Sequence, residues 1–496
     1  MMRRHLGLIG ACLALFAAGC QSALGADVET ALHNPDQTGI RWGLMVADTD
    51  GNELLAVRAD ERFTPASNTK IVTSMATYHH LNALGSDATN PGTRVFIEQT
   101  ADTEPPNLIL KGGGDAMLAD APDCETYCLA ALADAVAATG ITEVASVIGD
   151  DTLFPFERWG PGWSVEDLQY YYGTAVSALS LNDNLIWIDV KPGAETGDAV
   201  TLAWQGGDTY YDLKNDASTS ALDADRALRV ERHPGARTVR VYGTLPAGSN
   251  LLSFGLAIDN PAEFAALRFK NLLQARGVKT GSISTRHRPL RLADEAPAPD
   301  ADNAALIFGS NVPGDPPLAM LDASPLTDSL LRISKDSENL DAEITLRRLG
   351  LLDGTGSRSF GVAKLTSFLD EAGLSEHGYA IHGGSGMSVY NRVTPRSMVR
   401  LLAFAAQQPW FDAWRADQPI GGIDGSLERR FAGSALEGKI FAKTGTLNGA
   451  NALSGIMVAA SGRELLFSIL ANDRPASTRS SIAEMDAALV LIAAAY

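Results

Sequence analysis

In Pro65-Ala-Ser67-Asn-Thr-Lys70-Ile-Val-Thr-Ser-Met75-Ala76, a serine and a lysine stand three residues apart at the head of a run with helical character reaching about His80. Ile71, Val72, Met75 and Ala76 supply a buried face, and residues three apart share one side of a helix. Ser-x-x-Lys alone is a weak signal, expected roughly once by chance in a chain of this length, and Ser67 could serve simply as a helix cap. Its position adds chemistry. A serine hydroxyl at a helix start lies near the positive end of the helix dipole, and a neutral lysine one turn later can take its proton. A second cation close by, such as Lys443, disfavours the proton on such a lysine.

Two further motifs follow in order, Ser337-Glu-Asn339 and Lys443-Thr-Gly445. Together with Ser67 and Lys70 they form the parts of a serine acyl-transfer site whose base is lysine. Ser-x-Asn is the least specific, and Ser180-Leu-Asn182 is a decoy whose simplest reading is a turn before the apolar run from Leu185. Ser337-Glu-Asn339 lies instead between two helical segments, where Ser337 would relay a proton to a leaving amine and the Asn339 amide would hold a substrate carbonyl and Lys70. Lys443-Thr-Gly445 is the rarest by composition. It is expected to end a strand, with Thr446 extending it, and its cation, hydroxyls and bare glycine suit a peptide-like substrate with a terminal carboxylate.

The chain has 496 residues, 45% hydrophobic and 20% charged, long enough for two or three domains. A net charge of −19 argues against a nucleic-acid partner, which needs a basic surface. Met1 to His5 is a positive n-region and Leu6 to Phe16 an apolar stretch too short to span a bilayer, so the N-terminus reads as an export signal. Ala17-Ala-Gly19-Cys20 suits lipidation at Cys20, whereas Ala23-Leu-Gly25 before Ala26 suits ordinary cleavage. Either way the mature chain leaves the cytoplasm. Of four cysteines only Cys124 and Cys128 remain in the body, and in an oxidising compartment they are expected to pair, the alternative being two buried thiols.

Arg41 to Asp48 and Glu53 to Val57 flank Asp50-Gly51 as a hairpin. A long middle section carries its own elements: strands at Leu108 to Leu110 and Val144 to Ile148, an Ala-rich helix from Leu129, strand-like runs from Leu185 and Arg237, and an amphipathic helix from Pro261 to Arg276. Ala296 to Asn303, rich in Pro, Ala and Asp, reads as the return crossing. Helices at Leu326 to Ile333, Asn339 to Leu349 and Ser397 to Ala406, strands from Lys439, Leu453 and Glu464, and a closing helix from about Ser480 complete the first domain. Hairpins at both ends with helices between them imply an antiparallel sheet packed by helices, with large insertions.

Competing sites fare worse. Gly383-Gly-Ser385-Gly386 after His382 fails the nucleophile-elbow pattern at Met387. Lys111-Gly-Gly-Gly114-Asp115 lacks the Gly-Lys-Ser/Thr of a phosphate loop and reads as a tight turn. Eight histidines without a His-Glu-x-x-His disfavour a zinc peptidase.

With these motifs the chain resembles the class C low-molecular-mass penicillin-binding proteins, the serine D-Ala-D-Ala carboxypeptidases and endopeptidases of peptidase family S13. The resemblance extends to Gly113-Gly-Asp115, Pro161-Gly-Trp163, Ser177-Ala-Leu-Ser-Leu-Asn182, Ser337-Glu-Asn-Leu-Asp-Ala-Glu343, Gly384-Ser-Gly-Met-Ser388 and Gly422-Ile-Asp-Gly-Ser426, and covers nearly the whole mature chain. It implies a mixed α+β and α/β multidomain chain with a penicillin-binding, serine β-lactamase-like transpeptidase fold. Residues 26–88 and 298–496 would form the catalytic domain, 89–183 and 252–297 a second domain, and 184–251 a small β-rich third, after a signal over 1–25.

The resemblance further implies that Ser67, deprotonated by Lys70, attacks the carbonyl between two terminal D-alanines, or between D-Ala and a diamino acid of a peptidoglycan cross-link. Backbone N–H groups of Ser67 and Thr446 would form the oxyanion hole, and Ser337 would protonate the leaving amine. Asn339, Lys443, Thr444, Gly445 and Thr446 would bind substrate, and Asp150 would meet the free amine of the diamino acid. No metal or cofactor is implied; the partners are peptidoglycan peptides, with β-lactams as covalent inhibitors, in the periplasm or cell envelope. Ser426 and Asp341 depart from the family pattern, where Thr and an apolar or aromatic residue are commoner. The alternatives are a β-lactamase or esterase on the same fold, or a non-catalytic peptidoglycan-binding protein.

Overall fold

The computed structural model describes residues 24–35, 38–81, 90–101, 103–207, 210–292, 316–475 and 480–496. The n- and h-regions of the export signal, Cys12, Cys20 and the crossing from Ala296 to Asn303 lie outside the described residues. The chain divides into two compact units: Met1–Ala83, Leu330–Glu338 and Val362–Tyr496 form the first, and Leu84–Ser329 with Asn339–Gly361 the second. The second thus takes in residues 339–361, which the sequence reading places in the catalytic domain.

The first unit is built on an antiparallel five-stranded sheet. Its strands are Arg41–Asp48 (β1), Glu53–Val57 (β2), Ile440–Leu447 (β3), Ala450–Val458 (β4) and Glu464–Asn472 (β5), in the order β3-β4-β5-β1-β2. β1 pairs with β5 from Arg41↔Asn472 to Asp48↔Leu465, so segments from the two ends of the chain close one sheet. The turn between β1 and β2 is locked by the Asp48 carboxylate, which accepts from the Asp50 and Asn52 N–H groups at 3.1 and 2.9 Å. Such Asx turns make a hairpin legible in sequence.

Helices Thr69–His80 (α1), Pro395–Ala405 (α2) and Ile482–Ala495 (α3) belong to this unit. Met485, Leu489 and Ile492 of α3 join Trp42, Leu44, Val46, Leu453, Phe467 and Ile469 in one apolar core. α2 packs on β1 and β5, and the Thr394 side chain caps it by accepting from Ser397 N–H at 3.0 Å. Two polar pairs lie within this unit: Ser454 Oγ donates to Ser468 Oγ at 2.8 Å, and the buried Trp414 Nε1 donates to Ser74 Oγ of α1 at 2.9 Å.

The second unit holds a mixed five-stranded sheet in the order Lys279–Arg288, Glu143–Pro155, Asn107–Lys111, Thr93–Glu98, Ala319–Leu321. It also holds two three-stranded sheets drawn from residues 185–257. A single apolar core runs from Val95, Leu108 and Val147 through Phe264 and Phe269 to Ile188 and Val241, so the β-rich segment shares its interior with the rest of the unit.

Two details differ from the sequence reading, and the cysteine pairing agrees with it. β3 continues through the Lys-Thr-Gly-Thr motif to Leu447 instead of ending at Lys443, because its pairing with β4 runs to Leu447↔Ala450 around Asn448-Gly449. That Asn-Gly is a hairpin signal the reading passes over. The helix from Leu326 gives way after Leu331 to a π-turn, Arg332–Asp336. Cys124 and Cys128 do pair, with Cα atoms 5.8 Å apart, across a turn in which Tyr127 has a left-handed φ of 52°.

Phe467 is fully buried at the centre of β5. Phe467→Ala is expected to destabilise the chain by about 3–5 kcal/mol through lost burial and the cavity left behind, measured as a lowered midpoint in denaturant unfolding.

Candidate active site

Ser67 lies in a single 3₁₀ turn, Ala66–Asn68, that leads directly into α1. Ala66 takes a left-handed φ of 48°, a conformation that costs a non-glycine residue of order 1–3 kcal/mol and persists only where its surroundings impose it. Those surroundings are visible: Gly386, at φ +92°, packs so closely that a Cβ there would come within 2.0 Å of the Ala66 carbonyl oxygen. One turn on, the buried Lys70 donates from Nζ to Ser67 Oγ at 3.0 Å and to the Ser385 carbonyl at 2.7 Å. The spacing of three has put the two groups on one face, as the helical reading requires.

Ser337 terminates the π-turn in a left-handed conformation, φ 64° and ψ 33°. Lys443, buried in β3, donates from Nζ to Ser337 Oγ at 2.8 Å and to the Thr444 carbonyl at 3.3 Å. Its own carbonyl accepts from Asn68 Nδ2 at 2.9 Å, joining the middle of the first motif to the third. The Lys443 ammonium is pushed well below the ordinary amine range, first by burial and then by the charge of Lys70, with Asp336 opposing. Two serine hydroxyls, each meeting a lysine, therefore sit in one unit with their cations coupled.

Thr444 is half-buried and Thr446 exposed on the same strand. Thr444 Oγ1 donates to Ser426 Oγ at 2.7 Å, and Thr446 Oγ1 accepts from Asn451 Nδ2 at 3.2 Å. Gly445 between them has no room for a side chain, since a Cβ would fall 2.6 Å from the Pro65 carbonyl. Chemically, this part of the site offers a hydroxyl nucleophile with an amine at hydrogen-bond distance, a second hydroxyl that can pass a proton, and a strand whose hydroxyls can receive an anion.

Asn339 and Asp150 belong to the second unit. Asn339 opens the helix Asn339–Leu351, and its Nδ2 donates to the Tyr172 carbonyl at 2.8 Å. Asp150 is 1% exposed; its Oδ1 accepts from Thr152 N and Oγ1 at 3.0 and 2.6 Å with Lys111 Nζ 3.7 Å away, and its Oδ2 has no hydrogen-bond partner. The neighbouring Asp151 carboxylate is taken up by His287 Nδ1 at 2.8 Å and Ser177 Oγ at 3.0 Å. At the decoy, Ser180 is buried, and Asn182 exchanges hydrogen bonds with Asp120 as part of a turn before the strand Leu185–Lys191.

Sequence reasoning missed the backbone partners. Ser385, set aside as a nucleophile on its sequence pattern, is fully buried, and its segment meets α1 through carbonyls: Ser385 O accepts from Lys70 and Gly384 O from Thr73 Oγ1, each at 2.7 Å. Carbonyl groups leave no trace in residue type, so only the clustered glycines signal such a close approach. Asn68, inside the first motif, was legible in principle as a polar residue on a helix end that needs a partner.

A family model described as the D-Ala-D-Ala carboxypeptidase 3 (S13) family matches residues 24–296 and 303–495. The chain is 32% identical over 505 residues to the D-alanyl-D-alanine carboxypeptidase of Actinomadura sp. (strain R39), covering 98% of this chain and 88% of that one. It is 26% identical over 486 residues to the carboxypeptidase DacB of Mycolicibacterium smegmatis, covering 95% and 84%. In fold it is similar to penicillin binding protein 4 from Haemophilus influenzae, with a TM-score of 0.76 at 20% identity over 94% of this chain and 98% of that one. With its family model matched along nearly its whole length, the chain belongs to the D-Ala-D-Ala carboxypeptidase (S13) family.

Proposed function

We propose that the chain is a serine-type D-Ala-D-Ala carboxypeptidase, with endopeptidase action on D-alanyl cross-links, acting on peptidoglycan stem peptides through an acyl-enzyme on Ser67. The observation that carries this reading is the pair of lysine–serine contacts in one unit, Lys70 Nζ to Ser67 Oγ at 3.0 Å and Lys443 Nζ to Ser337 Oγ at 2.8 Å. Lys70, in its neutral form, takes the Ser67 hydroxyl proton as Oγ attacks the carbonyl carbon, and the oxyanion is received by the N–H groups of Ser67 and Thr446. As the tetrahedral intermediate collapses, the C–N bond breaks, Ser337 Oγ gives its proton to the departing amine, and the proton Lys70 took from Ser67 restores Ser337 and leaves Lys70 neutral. Water then cleaves the ester by the same groups in reverse. Lys443, Thr444 and Thr446 receive the terminal carboxylate of the substrate, Gly445 leaves room for its backbone, and Asn339 holds its amide.

β-Lactams would acylate the same serine. Asp150 enters as the acceptor for the amine of the diamino acid; its Oδ2 is free of hydrogen bonds, although Lys111 already lies 3.7 Å from Oδ1. The division into a catalytic domain over 26–88 and 298–496 with two inserts belongs to this reading. So does attachment through a lipid on Cys20, with the enzyme in the periplasm or cell envelope. No helix among the described residues is long and apolar enough to cross a membrane.

Fluorescent penicillin is expected to label the wild-type chain covalently and Ser67→Ala not at all; an adduct that survives the substitution would sink the reading. Lys70→Met is expected to slow acylation by about 10²–10⁴-fold, the usual range for losing a general base. Rapid release of the label would instead indicate a β-lactamase, and mass analysis of digested cross-linked muropeptides separates loss of D-Ala from loss of dimers.

Burial and Lys70 also make Lys443 titratable as a stability probe. Between its lowered folded value and about 10.4, the unfolded chain binds the proton that the folded chain has released, so this residue makes stability rise with pH across that window. Lys443→Met is expected to lose that contribution and to flatten the rise in melting temperature on going from neutral to mildly alkaline pH, as followed by calorimetry.

A further inference from the structure

The left-handed Ser337 must be held by something outside its own backbone, since non-glycine residues leave that region unless their surroundings impose it. The residue two positions earlier supplies a tether. Lys335 Nζ donates to Asp424 Oδ2 at 2.6 Å and to the Gln418 carbonyl at 2.7 Å, with its side chain only 14% exposed. Asp424 is anchored in turn, its Oδ1 accepting from the Ile420 N–H at 2.8 Å. Beside it, Gly425 lies so near that a Cβ there would be 2.9 Å from the Lys335 carbonyl.

The segment over residues 418–427 is itself stitched to the outer edge of β3. Ile420 bridges Phe441, Gly421 N–H donates to Ile440 O, and Ala442 N–H donates to Pro419 O, both at 3.0 Å. Ala442 immediately precedes Lys443. A closed ring of contacts results, from Ser337 through Lys335 and Asp424 to the edge of β3, and back from Lys443 Nζ to Ser337 Oγ at 2.8 Å.

We propose that Asp424, acting through Lys335, is a positioning residue for Ser337, fixing the reach of its hydroxyl to Lys443 and to the leaving amine. This rests on the reading of Ser337 as the proton relay. An exposed ion pair contributes little by itself, but this one is charge-assisted, shared with a backbone carbonyl and joined to two elements that must keep register. A displacement of about 1 Å at a relay can cost roughly 100-fold in rate.

The test measures steady-state hydrolysis of an N-acylated peptide ending in D-Ala-D-Ala, together with penicillin acylation rates, for wild type, Asp424→Asn, Lys335→Met, their double variant and Asp424→Glu. Expected is a fall in kcat of about 10- to 100-fold in Asp424→Asn and in Lys335→Met with KM within about threefold, a double variant no worse than the poorer single, and retention of most of the rate in Asp424→Glu. An Asp424→Asn or Lys335→Met chain that keeps kcat within about twofold of wild type overturns the proposal, as does a loss in KM alone or a loss that multiplies in the double variant. Asp424→Asn keeps the size of the side chain, so circular dichroism and melting temperature verify that it folds; should it not, Lys335→Met decides by whether its kcat falls about tenfold or more. A wild-type chain that takes up no penicillin overturns the reading of the site and this inference with it, whereas an active wild type with unaffected variants overturns this inference alone.

Discussion

Two lysine side chains buried in one unit and acting on each other's charge constrain everything else in this protein. A buried ammonium is costly, and a second one nearby raises the cost further. The chain meets that cost by giving each amine a serine hydroxyl and a backbone carbonyl: Lys70 has Ser67 and Ser385 O, and Lys443 has Ser337 and Thr444 O. These acceptors satisfy hydrogen bonds without themselves carrying a full negative charge. For Lys443, burial and the charge of Lys70 hold the ammonium well below the usual range, with Asp336 opposing.

The scaffold keeps those acceptors in place by backbone geometry that is locally unfavourable. Ala66 and Ser337, one beside the first hydroxyl and the other carrying the second, both adopt left-handed conformations, and Gly386 packs against the first of them. Such residues are affordable where a regular frame surrounds them. Here the frame is the antiparallel sheet with α3 completing its core, and β3 carries Lys443 at a fixed register from Lys443↔Ser454 to Leu447↔Ala450. Rigidity of the sheet and strain at the loops are therefore two aspects of one arrangement.

Much of this was legible in residue order. Hairpin β1–β2, helix α1, strands β4 and β5 and helix α3 carry periodicity or turn chemistry that survives without tertiary context. The three motifs stood out by residue type, and of them Ser67, Lys70, Ser337, Lys443, Thr444, Gly445 and Thr446 meet in one unit. Less legible were the π-turn after Leu331, which no local pattern distinguishes from more helix, and the continuation of β3 past Lys443, which its pairing with β4 decides. The 339–361 segment groups with the second unit because its apolar side chains, Leu340, Ile344 and Leu351, find their core with Phe154 and Val176, a preference no helical pattern can state.

From sequence alone came the chemistry: a serine nucleophile, a lysine base, a second serine and a Lys-Thr-Gly strand, in an order and with a gap after Lys70 that leave room for large insertions. Residue types and spacings carry such information because they limit what bonds can be made. The tertiary structure alone decided which backbone atoms answer those side chains, that the Ser385 carbonyl accepts from Lys70, and that Lys335 and Asp424 lie beside the turn bearing Ser337. Carbonyl directions and left-handed residues are set by how distant segments pack, and the amino-acid letters do not encode them one by one.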